Sequence, residues 1–123
     1  MTTYGKVWGE TWPIFISDTV EVHGFRVKAG WQCSRHKHNH KANLFAVLSG
    51  KLLIHAWKND YDLVDTTELG PGQITTVSAT EKHRFEAAED VLGVEVYWVK
   101  LTGNDIERDD VGGEAKDGES DGD

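Results

Sequence analysis

Residues 36–43 read HKHNHKAN. His36, His38 and His40 fall on alternate positions, with Asn43 three residues further on. In an extended chain, alternate side chains project from one face, about 6.5–7 Å apart along the strand. Two imidazoles can lean across that gap and share an ion at roughly 2.0–2.1 Å from each nitrogen. A further histidine, His83, sits far along the chain in KHRFEA. By itself, the histidine stretch equally describes a solvated polar strand, so the surrounding elements have to decide.

Those elements are short. Glycines and polar clusters punctuate runs such as TVEVHGFRVKAG, LFAVLSGKLLIHAW, QITTVSA and VLGVEVYWVKL. The runs are rich in β-branched and aromatic residues, and several alternate. No segment keeps an apolar i, i+3, i+4, i+7 pattern for three turns, so long helices are not expected. Many short strands at this spacing imply an all-β sandwich or barrel. Ser49-Gly50 predicts a tight hairpin or a bend, and Asn59-Asp60 and Gly70-Pro71-Gly72 mark the next turns. In the strand around Leu44–Leu48, Phe45 and Val47 share the face of Asn43 and should wall a cavity. The opposite face should pack on a second sheet or a second subunit, which makes a homodimer plausible.

The 123 residues suit one domain, and the formal charge of −8 is unevenly placed. From Asn104 onward there are nine acids and two bases, a net of −7. Residues 1–103 hold twelve acids and eleven bases, a net of −1. The domain is assigned to residues 1–110. Residues 111–123 have too little apolar surface to offset ordering entropy and are expected to be a disordered acidic tail. No basic patch supports nucleic-acid binding. The single cysteine, Cys33, excludes an internal disulfide and suits a reducing compartment. With no apolar run near ~20 residues and no signal-like N-terminus, a cytoplasmic protein away from membranes is expected.

Glycines frame both histidine segments. The first frame is Gly30-x5-His36-x-His38-x4-Asn43-x6-Gly50, and the second is Gly72-x5-Ser78-Ala79-Thr80-x2-His83. Together they resemble the two signature motifs of the cupin superfamily, Gly-x5-His-x-His-x(3,4)-Glu-x6-Gly and Gly-x5-Pro-x-Gly-x2-His-x3-Asn. The resemblance implies a cupin-type double-stranded β-helix (jelly-roll) barrel in which His36, His38 and His83 meet around one divalent transition metal. Asn43 stands at the carboxylate position as an optional fourth ligand. Zinc is the foremost candidate, with iron, manganese, nickel or copper also compatible with imidazole donors.

A narrower resemblance joins Lys6-Val-Trp-Gly9, FRVKAGW, HNHKANLFAVLSGKL, KHRFEA and NDIERDD to the cupin domain of type II phosphomannose isomerases. This sequence departs from their pattern at Asn43, at Lys41 in place of arginine, and at Ala87 in place of asparagine. The resemblance implies an isomerase of a small sugar phosphate, moving a proton between adjacent carbons through a cis-enediol. His40 is then the candidate base, and Lys41 or Arg108 anchors the phosphate. Gln32 and Ser34, in phase with the histidines, are expected to line the pocket, whereas Cys33 is expected to pack in its wall. Two other readings remain: a three-histidine iron dioxygenase, and a non-catalytic cupin that binds a sugar or another small molecule.

Overall fold

Alternation of apolar and polar side chains turns nearly every segment between the turn signals into a strand. The computed structural model describes residues 3–58, 63–99, 111, 114–116 and 119–120. The strands are β1 (Tyr4–Lys6), β2 (Gly9–Ile16), β3 (Val20–Val27), β4 (Ala42–Ser49), β5 (Leu52–Trp57), β6 (Val64–Leu69), β7 (Ile74–Val77), β8 (Lys82–Ala87) and β9 (Val91–Trp98). Two short ones follow, β10 (Ala115–Lys116) and β11 (Glu119–Ser120). Among the described residues there is no helix, so none is long and apolar enough to cross a membrane.

A six-stranded sheet runs in the order β1-β2-β3-β9-β4-β7 and a three-stranded one in the order β6-β5-β8. All pairings are antiparallel. Alternate positions face inward: Phe25 and Val27 on β3, Phe45 and Val47 on β4, Leu52 and Ile54 on β5, Phe85 on β8 and Val91 on β9. Burying each such side chain contributes roughly 1.5–3 kcal/mol. Phe25 stacks on Phe85 with ring centroids 5.6 Å apart, which ties the larger sheet to the smaller one. The outer face of β4 leaves Leu44 and Ala46 half-buried and Leu48 58% exposed.

Two of the turns that carry the chain from one sheet to the other contain glycine signals read from the sequence. Because β4 and β5 belong to different sheets, Ser49-Gly50 is a bend and not a hairpin. Gly50 has φ 87°, and a Cβ there would sit 2.0 Å from the carbonyl oxygen of Asp90, so only glycine fits. Gly70-Pro71-Gly72 leads from β6 back to β7, where Gln73 Oε1 accepts a hydrogen bond from Gly70 N at 2.7 Å. The Asn59-Asp60 turn lies outside the described residues. So does the proposed boundary at residue 110, together with most of the acidic tail. Within that tail, Ala115–Lys116 pairs with Glu119–Ser120.

The turn before β8 contains a conformational exception. Thr80 has φ 71°, in the left-handed region, where a β-branched side chain crowds its own backbone. Its amide donates to His38 O at 2.7 Å, which fixes the turn against the histidine segment. Such strain costs of order 1–3 kcal/mol, part of which glycine returns through its larger unfolded-state freedom. Replacing Thr80 by Gly should therefore stabilise the fold by about 1 kcal/mol. An unchanged or lowered thermal midpoint for the variant would contradict this.

Candidate metal centre

The histidine segment does not form a regular strand. Residues 30–36 run antiparallel to β8 through Ala87 N→Trp31 O (3.0 Å), Cys33 N→Phe85 O (3.1 Å) and a reciprocal pair, His36 N→His83 O (3.0 Å) and His83 N→His36 O (2.8 Å). From Cys33 to His36 this chain advances three residues while β8 advances two. The extra residue is a bulge, and it resets the alternation of faces. Cys33 and His36 consequently both turn inward, and Arg84 Nε donates to Cys33 O at 3.0 Å to brace the bulge.

The phase argument for Gln32 fails at this bulge. Gln32 is exposed, bridges to Glu86 and does not line the cavity. Ser34 does line it, beside Cys33. Next comes a bend at Asn39-His40 that ends the extended run, leaving His40 exposed and outside both the histidine cluster and the cavity.

His36, His38 and His83 each bring one ring nitrogen to within 4.8 Å of the others. Three nitrogens on one tetrahedral zinc would lie about 3.3 Å apart, given bonds of ~2.0–2.1 Å, so modest ring rotations complete the set. Backbone carbonyls orient two of the rings: His36 Nδ1 donates to Ser34 O at 2.7 Å and His83 Nδ1 to Glu81 O at 3.0 Å. Both Nε2 atoms are left as acceptors, the usual arrangement around a metal-binding imidazole. Nε2 of His38 is fully enclosed and has no hydrogen-bond partner, a costly condition that an ion would relieve. Burial pushes the His38 and His83 pKa values below the ordinary imidazole range, keeping both rings neutral and ready to ligate. These residues fit a divalent transition metal.

Asn43 is 1% exposed and performs a different task from the one read off its motif position. Its Nδ2 donates to Glu95 Oε2 at 2.9 Å and lies 3.5 Å from His83 Nε2. A carboxylate must face the amide's NH2 group, which has no lone pair for a cation. In this arrangement Asn43 is a holder of Glu95 and not a ligand.

Glu95 was not singled out by the sequence. It projects from β9 into a cavity of about 660 Å³ that Lys6, Trp8, His23, His36 and Tyr97 also line. Burial raises its carboxyl above the usual carboxylate range, opposed by hydrogen bonds from Tyr97 and Asn43. Tyr97 stays a neutral phenol, because burial and the neighbouring Glu95 charge both disfavour its ionisation. A signal was present in VLGVEVYWVK: one acid on an otherwise apolar strand, two residues from both Gly93 and Tyr97. His23 borders the cavity and pairs with Glu21 at 3.1 Å. His55 is held away from the centre by Thr66 (2.8 Å) and Glu86 (2.9 Å). Lys41, read as a phosphate anchor, is taken up by Glu21 at 2.8 Å and lies outside the large cavity. Arg108 lies outside the described residues.

Two antiparallel sheets closed over three converging imidazoles define a small jelly-roll barrel with a candidate metal centre. Residues 24–100 match the family described as Cupin domain, and the chain belongs to the cupin family. Solved structures share the fold at low identity. KdgF from Halomonas sp. is 13% identical with a TM-score of 0.70, covering 82% of this chain and 90% of that one. The capsular polysaccharide assembling protein CapF from Staphylococcus aureus is 19% identical with a TM-score of 0.71, covering 85% of this chain and 30% of that one. An oxalate decarboxylase from Lactobacillus farciminis is 15% identical with a TM-score of 0.68, covering 81% and 31% respectively. No curated protein sequence matches the chain.

Two outcomes follow from this geometry. Protein purified without a histidine tag should contain a stoichiometric transition metal by elemental analysis, and His38→Ala should reduce it to background. Equal metal content in the variant would remove His38 from the centre. Cys33 is 7% exposed, accepts a hydrogen bond from Phe85 N at 3.2 Å, and has its thiol pushed up by burial to about 11. The unreactive thiol form therefore prevails below that pH. Iodoacetamide should leave Cys33 untouched in native protein at pH 8 and label it promptly once the chain is unfolded; rapid native labelling would contradict the burial.

Proposed function

We propose that this protein is a metal-dependent, isomerase-like cupin that moves a proton between adjacent carbons of a small hydroxylated carbonyl compound. A sugar phosphate is the substrate class favoured by the order of its motifs. The observation that supports this best is the Glu95 carboxylate, held inside the cavity by Asn43 and Tyr97 yet outside the set of three histidines. The sequence offered only His40 as a base, and His40 is exposed, so Glu95 takes over the role. His36, His38 and His83 would hold the ion, which when bound supplies Lewis acidity that makes a proton beside a carbonyl easier to remove.

Glu95 accepts that proton on a carboxylate oxygen and returns it to the neighbouring carbon. Its raised proton affinity brings it nearer to a working pH around neutrality than an ordinary carboxylate would be. Asn43 and Tyr97 fix the direction of the carboxylate, so one group can serve two adjacent carbons. Trp8, packed edge-on to Phe85 with centroids 4.9 Å apart, offers an indole surface to the apolar side of a sugar.

A wholly neutral ligand set also suits a three-histidine iron dioxygenase, and that second reading predicts oxygen uptake with thiols or diketones after anaerobic iron loading. Hydrogen exchange in D2O tests the first. The metal-loaded protein should exchange hydrogen on the carbon beside the carbonyl of an aldose or ketose phosphate, followed by NMR. Glu95→Gln should slow this by roughly 10²–10⁴-fold, the usual contribution of a positioned base, with metal content unchanged. His40→Ala should leave the rate within about twofold. Undiminished exchange in Glu95→Gln would sink the assignment.

A further inference from the structure

The charged groups around the large cavity are few, and nearly all other cations near it are occupied. Lys41 is bound to Glu21 at 2.8 Å, Arg26 to Glu10 at 2.8 Å, and Arg84 to the Cys33 carbonyl at 3.0 Å. Arg35 stacks over the Trp57 ring at 4.2 Å. Lys37 and Lys82 are exposed and do not line the cavity.

Lys6 is different. It closes β1, and the turn through Val7 and Trp8 then enters β2 at Gly9, its register partner. Gly5, Lys6, Val7 and Trp8 all line the cavity. Among the described residues, Lys6 is the only lysine or arginine on its wall; it is exposed, and its ammonium has neither an ion pair nor a hydrogen bond. Across from it, the cavity holds a single carboxylate, that of Glu95, already engaged by Asn43 and Tyr97.

These charges define what the cavity can accept. Of the three histidines His36 lies on this wall, so a divalent ion on the set would add two positive charges at its inner end, and Lys6 adds one more, against at most one negative charge from Glu95. A neutral guest would leave that excess to solvent, whereas a guest with an anionic head compensates it directly. The remaining lining groups, including Trp8, Thr11, Ser34 and Tyr97, suit hydroxyls and the apolar side of a small ring or chain.

We propose that Lys6 is the anion anchor of this cavity and selects a polyol with one anionic head, a phosphate ester or a carboxylate, over the neutral polyol. The inference rests on the three-histidine reading of the centre and adds to it the class of guest and the residue that chooses it. It transfers the anchoring role from Lys41, which is paired, to a lysine 35 residues (41 − 6) nearer the N-terminus.

Isothermal titration of the full chain, reconstituted with zinc, tests it with three probes: mannose 6-phosphate, gluconate and mannose. At least one of the anions should bind about ten- to a hundredfold tighter than mannose, the range expected for a hydrogen bond to a charged group. Phosphate binding alone would assign an ester, gluconate alone a carboxylate, and binding of both a site tolerant of either head. Lys6→Ala should lower anion affinity to that of mannose, Lys6→Arg should restore most of it, and Lys41→Ala should leave it unchanged. Equal binding of mannose, no binding of either anion, or an unaltered affinity in Lys6→Ala would each overturn the anchor. Elemental analysis of the same samples separates the two ideas. A Lys6→Ala protein that keeps both its zinc and its anion affinity refutes only the anchor. Zinc content indifferent to His38→Ala refutes the centre.

Discussion

The paired backbone hydrogen bonds between His36 and His83 are the constraint from which the rest of the centre follows. They clamp two segments 47 residues apart (83 − 36) at one antiparallel bridge, and so bring imidazoles from both to the same place. His38 is positioned by a third backbone bond, from the Thr80 amide. Main-chain groups, which must be satisfied when buried, thus place all three rings before any side-chain interaction is counted. The side chains then add direction, through the two Nδ1-to-carbonyl bonds that leave each Nε2 as an acceptor.

Exchange of a carboxylate for an amide at position 43 redistributes charge instead of simply removing it. The negative group facing the cavity comes from β9, where Glu95 sits in register near β4: Asn43 pairs with Tyr97 and Phe45 with Glu95. The amide bridges the gap between that carboxylate and His83. A carboxylate bound directly to a dication would be a poor proton acceptor, because its lone pairs and charge are spent on the ion. One set apart by an intervening amide keeps its basicity, which burial then increases.

Much of the scaffold was legible because it depends on side-chain period and turn chemistry. The strands, the lack of helix among the described residues and the turn at Ser49-Gly50 arise from local rules, whereas its being a bend and not a hairpin depends on which sheet takes β5. The cluster of His36, His38 and His83 was legible only through the glycine frames, since no local rule brings residue 83 to residue 36. Four features escaped. The bulge between Cys33 and His36 adds one residue to one strand, and nothing in WQCSRH announces it, so Gln32 was placed on the wrong face. The bend at Asn39-His40 broke an alternation that looked continuous, and His40 left the site. Glu95 was visible as a lone acid in an apolar strand, but recognising it required knowing that its neighbour across the ladder was β4. Whether Asn43 acts as ligand or holder depends on which way its amide faces, a property of the partner and not of asparagine.

Strand β9 lies between β3 and β4 in the larger sheet, although it is the last long strand along the chain. The barrel is therefore built from distant pairings, a topology that folds in milliseconds to seconds and not microseconds. While residues 1–90 emerge from a ribosome, β3 and β4 have no strand between them and Glu95 does not yet exist. All three histidines precede β9 in the chain, but the larger sheet closes only when β9 pairs with both β3 and β4. The last long strand therefore both completes the larger sheet and delivers Glu95 to the cavity.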